Sequence, residues 1–292
     1  MAFLNTLSQR GLSAPEAALA AGTATLHLDG ELTALEKRII ALFRDQFSPL
    51  SLLDEPTFEA LLQRGMSHAL SGVTLANVGQ WVNTTIAPVV TNPTHRLELY
   101  RYCYALAMAD LNVDDGENAV LTALIAAFGL SNADTSAAEA AVLTEFASLH
   151  RALAATVVGL LIVTADGKVG EDELANIRNA RTLLEPIGRL DDVQFELVFD
   201  LSLNIHDRFL LEPANREAFL TNVVTHMLNT PELARQAFEY AASVATSDGD
   251  IATSEADTLK AMLAALHVPD AEGEAIFNRY MAHIRTVDGR PI

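Results

Sequence analysis

Apolar and polar positions along this chain recur with the 3.6-residue period of a helix almost from end to end. "APEAALAAGTATLHL" (14–28) and "PTHRLELYRYCYALAMA" (93–109) are two such runs, and "AVLTALIAAF" (119–128) is another. Strict alternation, the mark of a strand, is scarce. Pro15, Pro56, Pro93, Pro213, Pro231 and Pro269 fall where the periodic runs start or stop. The pattern predicts an all-α fold. In the first half helices are expected near 14–28, 33–47, 55–70, 73–90, 94–109, 114–128 and 135–150, and the second half repeats them. No Gly or Pro interrupts 135–158, so the last helix of the first half is expected to run into the first helix of the second.

The halves align with each other. A shift of 137–138 positions lays "LLDEPTFEALL" (52–62) on "RLDDVQFELVF" (189–199) and "WVNTTIAPVVTNP" (81–93) on "FLTNVVTHMLNTP" (219–231). Trp81 then meets Phe219, Pro93 meets Pro231 and Gly22 meets Gly159. A periodic self-match of this length implies a duplicated domain. The expected domains are two tandem helical units of about seven helices each, 12–147 and 148–285.

Each half also carries a shorter pattern twice. An Asp is followed seven positions later by a Glu: Asp29 and Glu36, Asp110 and Glu117, Asp166 and Glu173, Asp248 and Glu255. The third position after each Asp is aliphatic: Leu32, Val113, Val169 and Ile251. The position after the Asp is Gly in three copies and Leu111 in the other. One Asp-x6-Glu carries no signal, but four in register with a duplication do. Each lies between two periodic runs, so it reads as a helix–turn–helix connection with a Gly supplying the left-handed residue past the first helix. The aliphatic residue is expected to tuck the turn under the next helix. Thr33 with Glu36, and Asp114 with Glu117, have capping-box spacing. Gly170 and Ala252 offer poorer caps in the other two copies.

Charge and composition then remove function classes. The chain carries 38 acidic and 19 basic residues, a net charge of −19, with a pI near 4.7. Such a surface repels phosphate backbones and anionic lipid, which argues against nucleic acid as a partner. With one cysteine, Cys103, there is no intrachain disulfide and no thiolate cluster for zinc, and a reducing, cytoplasmic setting is the simple reading. The first residues have no basic leader with a long apolar region behind it. The most apolar run, 153–165, is too short for a bilayer, so no direct membrane insertion is expected. No P-loop, dinucleotide fingerprint or nucleophile elbow is present, so no enzyme is expected. The histidines are scattered, and Cys103 reads as a small buried thiol.

The helix–"ADG-x-hydrophobic-x-x-x-E"–helix unit, twice per helical domain, resembles the TerB (tellurite-resistance) family. "TADGKVGEDE", "TSDGDIATSE", "HLDGELTALE" and the degenerate "MADLNVDDGE" carry the resemblance, which covers nearly the whole chain as two tandem copies. It implies domains whose halves pack with pseudo-two-fold symmetry. It also implies a stress-response role in tellurite or metal stress, and protein partners that include membrane-associated ones. The motif acids would form an acidic metal-binding patch: Asp29, Glu36, Asp110 and Glu117 in one domain, Asp166, Glu173, Asp248 and Glu255 in the other. Oxygen ligands favour a divalent cation such as Ca²⁺ or Mg²⁺ over Zn²⁺. The loops are not EF-hands. Two alternatives stand beside this: a metal-free scaffold binding a protein partner, and, more weakly, an enzyme using paired carboxylates.

Overall fold

The computed structural model describes residues 11–28, 32–165, 171–247 and 251–287; at 172, 173 and 283–287 it describes the backbone alone. Among these residues there is helix and no strand, as the periodicity predicts. The chain divides into two compact units, Met1–Phe146 and Ala147–Ile292.

In the first unit, α1 (Ala14–Leu26) is followed by α2 (Ala34–Leu42), α3 (Glu55–Leu70) and α4 (Val78–Trp81). Then come α5 (Pro93–Ala107), α6 (Asp115–Phe128) and α7 (Asn132–Glu145). The apolar positions of α1 surround it: Ala17 to Ala21 and Ala24 are all buried, and α3, α5 and α6 pack on it. A helix apolar on every side has to be the core element. In the second unit α8 (Ala147–Val163) holds that place, with Leu153 to Val163 buried. After it come α9 (Glu171–Ala180), α10 (Asp192–Ile205), α11 (Pro213–Phe219), α12 (Pro231–Ala245), α13 (Thr253–Ala265) and α14 (Asp270–Val287); α9, α10, α12 and α13 pack on it.

One contact fixes the centre of each unit. A methyl group built on Gly22 of α1 would stand 2.8 Å from the ring of Tyr102 on α5, and one on Gly159 of α8 would stand 2.5 Å from the Tyr240 hydroxyl on α12. Both tyrosines are fully buried. Only a residue without a side chain lets a ring lie on the helix backbone this closely.

Three boundaries depart from the sequence expectation. The helix expected over 33–47 ends at Leu42 and continues as a 3₁₀ turn, Arg44–Gln46, then one short turn, Ser48–Ser51. The helix expected from 73 starts only at Val78, because Asn77 folds back: its side chain accepts from the Thr74 amide at 2.8 Å and donates to the Gly72 carbonyl at 2.7 Å. Helix α4 then widens into a π turn, Val82–Ile86; Leu220–Val224 is π-helical at the matching register after α11. The expected run-through helix is broken. Helix α7 stops at Glu145, Phe146 leaves helical geometry at φ −97° and ψ 12°, and α8 begins at Ala147. The Phe146 ring packs edge-on against Phe43 with centroids 4.5 Å apart, so a tertiary contact sets a break that composition does not show.

Candidate functional site: the acidic helix turns

The Glu of the motif does the same local job in every described copy. Helix α2 begins at N-cap Thr33, whose backbone N–H donates to Glu36 Oε2 at 2.7 Å while the Glu36 amide donates to Thr33 Oγ1 at 3.2 Å. Helix α6 begins at Asp114, with the reciprocal pair at 2.8 and 2.9 Å to Glu117. Helix α13 begins at Ala252, which has no side-chain oxygen to offer; its amide still donates to Glu255 Oε2 at 2.8 Å. So the Glu half of the box survives where the N-cap half is missing, and the poorer cap at Ala252 does not deprive the Glu of its role. Each carboxylate satisfies an orphan amide and sits at the positive end of a helix dipole. Glu36 and Glu117 are buried while doing so.

The Asp positions are less uniform. Asp29, Asp166 and Asp248, and the side chain of Glu173, lie outside the described residues. Asp110 is buried and accepts from the Asn112 amide at 3.1 Å. After it, Leu111 takes φ 64°, the left-handed conformation expected of the Gly that stands at this position in the other three copies. A leucine there meets a steric penalty of about 1–2 kcal/mol, and the burial of its side chain, 8% exposed, offsets it. The burial of the aliphatic positions also differs between the two copies. Leu32 is buried as expected, but Val113 is 37% exposed, while Leu111 two residues before it is buried.

The helix end that precedes the first motif turn meets the start of α6. Leu28, at the end of the first motif's helix, has its Cδ1 3.5 Å from where a methyl on Gly116 would be. Gly116 lies in the first turn of α6, between Asp114 and Glu117. A second contact was invisible in the sequence: His27 Nδ1 lies 3.6 Å from Glu36 Oε1. Its register counterpart is Thr164, whose hydroxyl donates to the Leu160 carbonyl at 2.7 Å. That difference between the halves was the one available signal. Among the described residues no three His, Cys, Asp or Glu side chains come together as a group that would hold a metal ion.

Other candidates settle into the core. Burial pushes the Cys103 thiol up to about 12, against a smaller opposing effect of its bond with Thr25, which leaves little thiolate at neutral pH. Burial alone pushes His150 down to about 4. A general acid would need a carboxyl held above its ordinary value. Among the described residues, Glu16, Asp54, Glu196 and Glu232 each move down. For Glu16 burial works upward, but the Ser13 hydroxyl and amide and the Arg64 guanidinium outweigh it. No single helix among the described residues is long and apolar enough to cross a membrane.

No curated protein and no solved structure matches the chain. Residues 150–278, which carry the third and fourth copies of the motif within the second unit, match the family model of tellurite resistance protein TerB.

Proposed function

We propose that this chain is a non-enzymatic, cytoplasmic TerB-like module of the response to tellurite or metal stress, and that its acidic helix turns take up a divalent cation, Ca²⁺ or Mg²⁺ in preference to Zn²⁺. The observation that carries this reading is the seating of Leu28 against Gly116. It places Leu28, the residue that precedes Asp29 in the sequence, beside the acidic first turn of α6. In this reading the labour is divided. Each Glu clamps its turn through the N-cap amide, and the Asp residues with the remaining carboxylate oxygens supply hard ligands. The TerB match over 150–278 supports the same role for Asp166, Glu173, Asp248 and Glu255. The two units are read as tandem copies, supported by π turns that recur 138 residues apart.

The test is thermal unfolding in EDTA and then with each of Ca²⁺, Mg²⁺, Mn²⁺ and Zn²⁺, on the parent chain and on Asp166→Asn/Asp248→Asn. A cation at a hundred times its Kd, binding the folded form only, raises stability by about 2.7 kcal/mol. The expected result is a rise with Ca²⁺ or Mg²⁺ that the double variant loses. No rise with any cation would leave the second reading, a metal-free scaffold for a protein partner. That reading is favoured by the engagement of Glu36, Glu117 and Glu255 in amide hydrogen bonds.

A further inference from the structure

The second unit has a surface cleft of about 420 Å³ between the start of α12 and the segment linking α13 to α14. Leu228, Ala234, Leu266 and Val268 give it an apolar lining; Arg235 and Glu272 stand on it. The 138-residue register names the residues that occupy this place in the first unit: Val90 for Leu228, Arg96 for Ala234, Phe128 for Leu266. There the space is filled from within. The Arg96 guanidinium lies over the Phe128 ring, 5.5 Å from its centroid, and Arg96 Nε donates to the Val90 carbonyl at 2.9 Å. A guanidinium beside an apolar wall, with a helix-end carbonyl to accept from it, is a stable arrangement. The same device recurs at Arg216, whose Nε donates to the carbonyl of Leu210, six residues earlier, at 2.6 Å. At Leu228 the residue six later is Ala234, so the arginine is missing and the cleft is open.

We propose that this cleft receives an arginine side chain from a basic segment of a partner protein, which would lie in trans as Arg96 lies in cis. Charge favours it. Arg235 is matched by Glu232 at 2.8 Å and Glu239 at 3.0 Å, while Glu272 makes no ion pair among the described residues. A chain of net charge −19 adds long-range attraction for a basic partner. The rim also carries a backbone feature. His267 sits at φ 55° where its counterpart Gly129 sits at φ 65°, so a side chain has been placed on the lip at a conformation that disfavours one. The site is independent of the cation reading. Helices α12 and α13 run from the cleft to Ala245 and Thr253, the helix ends that flank the fourth motif copy, one helix length or about 20 Å at 1.5 Å per residue.

The probe is the blocked tripeptide Ac-Ala-Arg-Ala-NH₂, with Ac-Ala-Lys-Ala-NH₂ and inorganic phosphate as controls, titrated into the full chain with methyl resonances of Leu228, Leu266 and Val268 followed by NMR. The arginine peptide is expected to shift these methyls saturably, and the lysine peptide to bind at least fivefold more weakly. In the Ala234→Arg variant, which restores the first unit's arrangement, the shifts should vanish while the fold persists. Glu272→Gln, a surface change that leaves the core untouched, should weaken the arginine peptide at least threefold. Equal binding of both peptides, a response to phosphate in place of arginine, or unchanged binding in either variant would overturn the proposal.

Discussion

Around Arg44 and Arg181 the two units are built alike; around Arg96 and Ala234 they are built differently. Arg44 lies over Phe58 and pairs with Glu55 at 2.7 Å. Arg181, 137 positions on, lies over Phe195 and pairs with Asp192 at 2.5 Å. The Gly22–Tyr102 and Gly159–Tyr240 contacts recur in the same way. These contacts hold helices at fixed separations, so changing one partner alone is costly. Arg96 stacks on Phe128 in the first unit, and where Ala234 and Leu266 stand in their place a cleft lies open. What the units share sets helix spacing; where they differ, side chains decide what the surface can bind.

The largest expected effect comes from breaking a shared contact. Gly159→Ala gains up to about 1 kcal/mol of helix propensity but drives a methyl to 2.5 Å from the Tyr240 hydroxyl. Overpacking of this kind costs about 1–3 kcal/mol and sometimes more. A net loss of about 2 kcal/mol is expected in denaturant unfolding. Tyr240→Phe removes the offending oxygen, which has no hydrogen-bond partner among the described residues, so the double variant should recover most of the loss. At Gly22 the close atoms are ring and leucine carbons as well as the hydroxyl, so Tyr102→Phe should rescue Gly22→Ala less. Equal rescue in both units would mean that the two contacts are not distinguished by the hydroxyl.

The first turns of α1 and α8 differ in their response to acid. Helix α1 starts at Ser13, in a capping box with Glu16. The matching position on α8 is His150, 1% exposed and held neutral by burial, with its value lowered to about 4. An unfolded chain takes up that proton below about pH 6.5, and the folded chain resists until about 4. The stabilisation is therefore complete above pH 6.5 and is lost as pH falls through this window. It comes to about 1–2 kcal/mol by pH 5. A His150→Leu variant should show a shallower acid limb by that amount, measured as the difference in unfolding free energy between pH 7 and pH 5. An unchanged limb would mean that His150 is charged in the folded state.

Much of this was legible in the sequence, for identifiable reasons. The helices were readable because burial of one face imposes a period, and the Glu caps because N-cap and N3 have fixed spacing. The break at Phe146 was not, since it depends on Phe43 in a distant segment. Nor was the burial of Leu111 and the exposure of Val113, since spacing cannot say which of two nearby aliphatic side chains is buried. Asp29, Asp166 and Asp248 were singled out by register and lie outside the described residues. The cleft escaped notice because nothing at Ala234 or Leu266 looks unusual until the fold shows that their counterparts share one space.

Leu111 gives a smaller effect with an informative sign. Relief of left-handed strain alone would make Leu111→Gly stabilising by about 1 kcal/mol. Loss of a side chain only 8% exposed costs about 2 kcal/mol. The expected net is destabilisation by about 1 kcal/mol, read as a lower thermal midpoint. A higher midpoint would mean that the turn tolerates the leucine without using it.

The smallest effect tests whether the Glu clamp and the N-cap act independently. Ala252 already has the extended N-cap backbone, φ −66° and ψ 152°, and its amide already donates to Glu255. Ala252→Ser adds only the missing acceptor for the Glu255 amide. It should stabilise by somewhat under 1 kcal/mol, a shift of about 2–3 °C in the midpoint. Asp114→Ala is the reverse change at α6. It removes the acceptor for the Glu117 amide at 2.9 Å and leaves the Asp114 N–H on Glu117 at 2.8 Å. The expected loss is about 1 kcal/mol, which would make the α6 turn resemble the present α13 turn. If the two halves of the box act independently, the changes are equal and opposite. A loss at Asp114 well above 1 kcal/mol, present with Ca²⁺ and absent in EDTA, would instead assign that carboxylate a ligand's role beside its cap.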